Sequence, residues 1–171
     1  MHLKNDGLVV RNATADDAQI LCYWWSNGKV MAHAGFPNGL HTDIDELMDR
    51  LKDEKDTARR LIIEIDSNSV GEMCYRTIDN VSEIGIKICN FFYQEKGYGT
   101  KALKMLIRYL FDEMNIEKII LDTNLNNTRA QHVYENIGFR QVRLKMNSWE
   151  NQLGDLQSSV DYELIKENFI L

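Results

Sequence analysis

The chain has 171 residues, 44% of them apolar and 27% charged, the profile of one globular domain large enough to bury a core without disulfides or metals. Lys plus Arg number 20 against 26 Asp plus Glu, for a formal net charge of −6; this argues against a nucleic-acid partner, whose binding depends on neutralised phosphates, and mildly favours a cationic one. No apolar run approaches the roughly 20 residues needed to cross a bilayer, and Met1-His2-Leu3-Lys4-Asn5-Asp6 lacks the apolar stretch of a secretion signal, so the expected setting is cytoplasmic with no membrane partner.

In chain order, Leu8-Val9-Val10-Arg11 is a short β-type run, followed by a capping-box start at Thr14-Ala15-Asp16-Asp17 and apolar Ala18, Leu21, Cys22 and Trp25 at helical spacing. A loop containing Gly35-Phe36-Pro37-Asn38-Gly39 leads to a second cap signal, Thr42-x-x-Asp45, ahead of Leu47, Met48 and Leu51. Three β-like runs, 61–65, 70–75 and 83–88, are separated by turn residues and predict an antiparallel meander. Leu103, Leu106, Ile107, Leu110 and Met114 keep helical period, and the β-prone run 118–123 follows. A helix over about 127–137, stopped by Gly138, and two late strands over about 140–149 and 159–165 complete the order. Pro37 is the only proline and no linker interrupts the chain, so one α/β domain over residues 1–171 is expected.

Cys22, Cys74 and Cys89 are odd in number and show no C-x-x-C spacing, and His2, His33, His41 and His132 form no ligand pattern, so no metal site is expected. The sharpest local signal is Gln94-Glu95-Lys96-Gly97-Tyr98-Gly99-Thr100, between a strand and a helix. Loop amides and the unpaired donors of a helix start can hold a pyrophosphate there. Gly97-x-Gly99-x-x-Ala102 also fits a dinucleotide fingerprint, but that motif expects an early strand of a parallel unit, and here a meander precedes it. A phosphate loop of the Walker type needs Gly-Lys-Ser/Thr, and this chain reads Gly99-Thr100-Lys101.

The remaining pattern, Gln94-x-x-Gly97-x-Gly99, together with Asn127-x-Arg129-Ala130-x-x-x-Tyr134-x-x-x-Gly138-Phe139, resembles the GNAT N-acetyltransferase family. The element order over about residues 8–165 is similar as well. Trp24-x-x-Asn27 and the long first loop look more like the branch that modifies ribosomal-protein N-termini, with its polyamine and aminoglycoside relatives. The resemblance implies a mixed, largely antiparallel twisted sheet with helices on both faces and a V-shaped opening between the fourth and fifth strands, where acetyl-CoA lies. It implies that main-chain groups of Ile86 and Ile88 pair with the pantetheine as an added strand would. The amides of Gln94, Glu95, Lys96, Gly97, Tyr98, Gly99 and Thr100 then hold the pyrophosphate, and Asn127 reaches the pantetheine or caps its helix.

Acetyl transfer needs a neutral amine, and deprotonating an alkylammonium at pH 7 costs about 4.6 kcal/mol. Strand parity puts Glu83 on the face opposite Ile84, Ile86 and Ile88, where it can assist as a base. Asp122, at the end of the fifth strand, matches a carboxylate position of some relatives, and Glu72 is a weaker candidate. Tyr134 is expected to donate to the departing thiolate, or else to pack beside Ala130 and Val133. Trp24, His33 and Phe36 are expected to shape the acceptor pocket. The expected function is direct transfer from acetyl-CoA to a primary amine, a ribosomal-type protein N-terminus ahead of a polyamine or aminoglycoside, in a monomer or homodimer. A CoA-sensing or partner-binding module is the non-enzyme alternative.

Overall fold

The computed structural model describes residues 1–171. It begins with a strand that the sequence reading did not anticipate: β1 (His2–Asn5) turns back through Asp6 and Gly7, both at positive φ, to pair antiparallel with β2 (Leu8–Asn12). At only four residues and with three of them exposed, β1 carries no alternating apolar pattern by which it could have been read. It raises the ordinal of every later strand by one.

Thr14 opens the first helical region as expected, its N–H donating to Asp17 Oδ2 at 2.8 Å ahead of α1 (Ala18–Trp25). Two unanticipated short turns follow, α2 (Gly28–Met31), capped by the Asn27 side chain, and a 3₁₀ turn over Ala32–Ala34. In α3 (Ile44–Lys52) the cap is Asp43, which accepts from the N–H groups of Asp45 and Glu46, and Thr42 lies outside it. The meander is β3 (Ala58–Ile65), β4 (Asn68–Ile78) and β5 (Val81–Ile88). Then come α4 (Tyr98–Asp112), β6 (Lys118–Asn124), α5 (Thr128–Ile137), β7 (Arg140–Glu150) and β8 (Leu156–Ile165).

The strands form one eight-stranded sheet in the order β1-β2-β3-β4-β5-β6-β8-β7, and β5 runs parallel to β6 while all other neighbours are antiparallel. Alternation along the strands divides the core in two. Leu61, Ile63, Met73, Ile84, Ile119 and Tyr162 face α4 and α5, whereas Ile62 and Cys89 face α1 to α3, packing with Leu21, Trp24, Trp25 and Leu47. Helices therefore cover both faces. The parallel pair is the exception in the sheet: β5 and β6 are in register only over Val81↔Lys118, Ser82↔Ile119 and Glu83↔Ile120. Beyond Glu83 the two strands separate, because β5 continues along β4 as far as Ile88 while β6 stays with β8 as far as Asn124. This is the V-shaped opening, between the fifth and sixth strands of the full count.

Candidate active site

A cleft of about 1770 Å³ runs through this opening. The end expected from the sequence to hold the cofactor is made of main chain. Cys89 N–H bonds to Val70 O on β4, so with a two-residue period the main-chain groups of Ile84, Ile86 and Ile88 point away from β4 and toward the gap. Ile86 and Ile88 both line the cleft, but the Ile88 carbonyl already accepts from Gln94 Nε2 at 2.8 Å. That leaves Ile86, and the N–H of Ile88, as the edge open to an added strand.

Gly97 is the N-cap of α4 with φ +81, and it offers no side chain to the helix start. The positive φ at the bend from β5 into α4 is what favours glycine, since a Cβ there would meet nothing within 4 Å. Lys101 N–H is the first in the helix to find a partner, Gly97 O, and the N–H groups of Glu95 through Thr100 take no acceptor within the protein. These donors converge at the positive end of a 15-residue helix, a fit for a pyrophosphate. Gln94 is the correction to the expected set, since its N–H is spent on Phe91 O. Its side chain instead ties the loop to β5 and accepts from Arg129 at 3.3 Å, while Arg129 also meets Glu95 at 3.2 Å. Arg129 lay inside the quoted motif without a role; the structure shows it fastening α5 to the loop across the V. Asn127 lines the cleft and caps α5, its Oδ1 accepting from Ala130 N–H at 3.3 Å.

Tyr134 lies on the cleft wall, only 7% exposed. It packs against Phe139 and Tyr162 with ring centroids 5.9 and 5.8 Å away. Burial pushes its phenol up to about 12, with the charge of Asp122 adding to the effect. Tyr162 OH donates to Glu135 at 3.1 Å, whereas the Tyr134 hydroxyl has no protein partner and is free toward the cleft. Glu83 and Asp122 both line the cleft, exposed on the sheet face that points to α1–α3, just where β5 and β6 part. Their flanking residues Ile84, Leu121 and Thr123 are buried on the other face.

The other carboxylate considered, Glu72, is 1% exposed and fully engaged. Its Oε1 accepts from Trp25 Nε1 at 2.8 Å and its Oε2 from Arg60 at 2.7 Å, so both oxygens are engaged and burial shuts them away from an acceptor amine. Of the expected acceptor residues, His33 lines the cleft. Trp24 is 5% exposed in the core beneath α1, and Phe36 packs on the same cluster, so both support the wall without forming it. Residues to which the sequence reading gave no acceptor role line the cleft as well. Trp149 from β7 closes over Gly35, and Arg60 and Lys87 contribute charge. Lys87 was legible in principle, sharing the Glu83 face by parity; Arg60 and Trp149 enter from segments distant in sequence and carry no local signal. Burial raises the thiols of Cys74 and Cys89, the latter to about 12, which keeps both protonated and weakly nucleophilic.

The chain matches the family model of the GNAT acetyltransferase domain over residues 7–140. It is 28% identical over 144 residues to the uncharacterised N-acetyltransferase YnaD of Bacillus subtilis, covering 82% of this chain and 83% of that one. It is 27% identical over 128 residues to the spermidine N(1)-acetyltransferase of Escherichia coli K12, covering 72% of this chain and 62% of that protein. Among solved structures, the spermidine N-acetyltransferase of Vibrio cholerae in complex with CoA and spermine superposes with a TM-score of 0.84 at 20% identity, covering 96% of this chain and 98% of that one. The opened parallel pair, the free amides at the α4 start and the matched domain lead to one conclusion: this chain belongs to the GNAT acetyltransferase family, an N-acetyltransferase whose donor is acetyl-CoA.

Proposed function

We propose that the acetyl group passes directly to a primary amine in a ternary complex, with Tyr134, Glu83 and Asp122 around the reacting atoms. The observation that carries this is that all three line the one cleft, Glu83 and Asp122 where β5 and β6 part and Tyr134 on the wall from α5, with no activated thiol nearby. The donor brings a thioester. The rest of the work falls to the chain: Glu83 or Asp122 receives the amine proton, directly or through water, and Tyr134 donates a hydrogen bond to the sulfur. One C–N bond forms, one C–S bond breaks, and the proton lost by nitrogen balances the one gained by the leaving thiolate. With its phenol pushed up to about 12 by burial, Tyr134 holds its proton more tightly than a thiol does. Tyr134 therefore acts by hydrogen bonding to developing charge, and the proton that ends on sulfur comes from the amine.

For the acceptor we rank a protein N-terminal amine, of the ribosomal-protein type, first. Arg60 and Lys87 on the acceptor side oppose a polycation. A polyamine or aminoglycoside is the second reading, favoured by the spermidine acetyltransferases among the relatives. A thiol-release screen over N-terminal peptides, spermidine, spermine and aminoglycosides decides between them. Turnover of polyamines alone reverses the ranking, and CoA binding by calorimetry without release from any amine makes the chain a CoA-sensing module.

A further inference from the structure

On the α1–α3 face of the sheet, the residues beside the V form a hollow with a defined floor. Cys74 and Gly85 are register partners on β4 and β5, and both line the cleft. They are the smallest side chains of their row, and a Cβ at Gly85 would already sit 3.1 Å from Cys74 Sγ. Glu83 stands one row toward the closed end of the V, and Lys87 one row toward the open end, on the same face of β5. Arg60 is the neighbour of Cys74 on β3. The hollow thus has carboxylates at one end, Glu83 and across the gap Asp122, and two cations at the other.

Both cations are anchored from below. Glu72 lies beneath them and accepts from Arg60 at 2.7 Å and from Lys87 at 3.5 Å. Arg60 is also held over the Trp25 ring, 4.9 Å from its centroid. Only one guanidinium nitrogen of Arg60 has a side-chain partner, and the single contact of Lys87 is long. Glu54, also on the cleft wall, gives one oxygen to the Arg60 main-chain N–H at 2.7 Å. Two carboxylates therefore balance the two cations in number, but Glu72 is inaccessible with both oxygens bonded and Glu54 is tied to main chain. What the hollow presents at this end is the remaining N–H donors of Arg60 and Lys87, side-chain exposure being 29% for Arg60 and 33% for Lys87.

We infer that the acceptor carries a carboxylate near its amine, received by Arg60 and Lys87 while the amine faces Glu83 and Asp122. The row of Arg60, Cys74 and Gly85 lies roughly 7 Å along the strand from that of Glu83, and the row of Lys87 as far again beyond it; the first step is a span that the two charged groups of one amino acid, or of the first residue of a peptide, bridge with a hydrogen bond at either end. Charge-assisted bonds from a guanidinium and an ammonium are among the stronger polar contacts, and a site built on them rejects analogues that leave them unpaired. The carboxylate has two chemical sources: the α-carboxylate of a free amino acid, or an acidic side chain at the start of a peptide. This inference rests on the transfer reading above.

The test compares matched acceptors by CoA release: L-alanine with L-alaninamide, aspartyl-alaninamide with asparaginyl-alaninamide, and spermidine. Preference for the carboxylate member of either pair by about tenfold or more in kcat/KM is the expected result, and the pair that shows it names the source. Lys87→Gln should collapse that preference and Lys87→Arg restore it, with the KM for acetyl-CoA unchanged in both. Equal use of carboxylate and amide, better use of spermidine, or a preference that survives Lys87→Gln overturns the inference. Calorimetry with N-acetyl-L-alanine and its amide on the CoA-loaded protein gives a readout independent of turnover. Tighter binding of the carboxylate product without any CoA release would sink the transfer reading and keep the subsite, whereas CoA release without carboxylate preference would do the reverse.

Discussion

The two ends of the cleft are built on different principles. The end proposed for the cofactor is a run of neighbours in sequence, Glu95 to Thr100, that presents main-chain N–H groups at the start of α4. The acceptor end is assembled from β3, β4, β5, β6, β7 and the α1–α3 region, and it presents side chains. Main-chain recognition depends on backbone shape, so most substitutions leave it intact unless they alter φ or fill the space. Side-chain recognition changes with each residue, and its members are locked by distant partners such as Glu72 beneath Arg60.

That contrast can be broken most forcefully at Glu72. Removing one member of a buried charge group costs about 3–5 kcal/mol, because its partners are left uncompensated. Glu72→Ala is therefore expected to lower the unfolding free energy, measured by urea titration, by that amount, and a value close to wild type would show that Arg60 and Lys87 do not depend on it. Next comes Tyr134→Phe, which keeps the ring against Phe139 and Tyr162 and removes only the hydroxyl. A fall in kcat of about 10², or roughly 2.7 kcal/mol of barrier, is expected with acetyl-CoA affinity nearly unchanged. Measured when chemistry limits turnover, wild-type kcat in this variant would reduce Tyr134 to packing. With its phenol near 12, Tyr134 should also contribute no loss of activity below about pH 10.

At the cofactor end, Gly97→Glu places negative charge and a strained φ among the free amides, and acetyl-CoA binding should weaken about tenfold or more before kcat falls. Arg129→Ala removes an exposed tie to Glu95 and Gln94, so its effect on acetyl-CoA KM should be about threefold or less and should shrink with added salt. A larger effect at Arg129 than at Gly97 would mean that side chains, not amides, hold the donor.

A last effect is on stability against pH and concerns neither end. Asp17 is buried, which alone would raise its carboxyl, but the Arg11 fork at 2.8 Å and the Thr14 N–H hold it below the usual range. A depressed carboxyl binds fewer protons when folded, so its stabilisation is complete above about pH 4 and lost as pH falls through the folded value. Asp17→Asn should cost about 1–2 kcal/mol at pH 7 and flatten the acid limb; an unchanged limb would assign acid sensitivity elsewhere.

Local chemistry settled what neighbours in sequence can settle. The cap at Thr14, the stop at Gly138, the period of α4 and the alternation in β5 follow from the preferences of adjacent residues, and so did the amide loop at Gly97, because its ligand-binding groups are backbone. The resemblance supplied the V, and the sheet supplied its cause, the divergence of β5 and β6 toward different antiparallel partners. Other features were decided only by the tertiary structure. Trp24 and Phe36 turned inward because the α1–α3 layer needed their apolar area against Ile62. Glu72 became a buried keystone because Trp25, Arg60 and Lys87 met it from separate segments. Trp149 reached the cleft because the last hairpin folds back over Gly35. These are contacts between residues far apart along the chain, and no periodicity, cap or turn signal encodes them. The acceptor end consists almost wholly of such contacts, which is why the sequence announced its donor far more clearly than its acceptor.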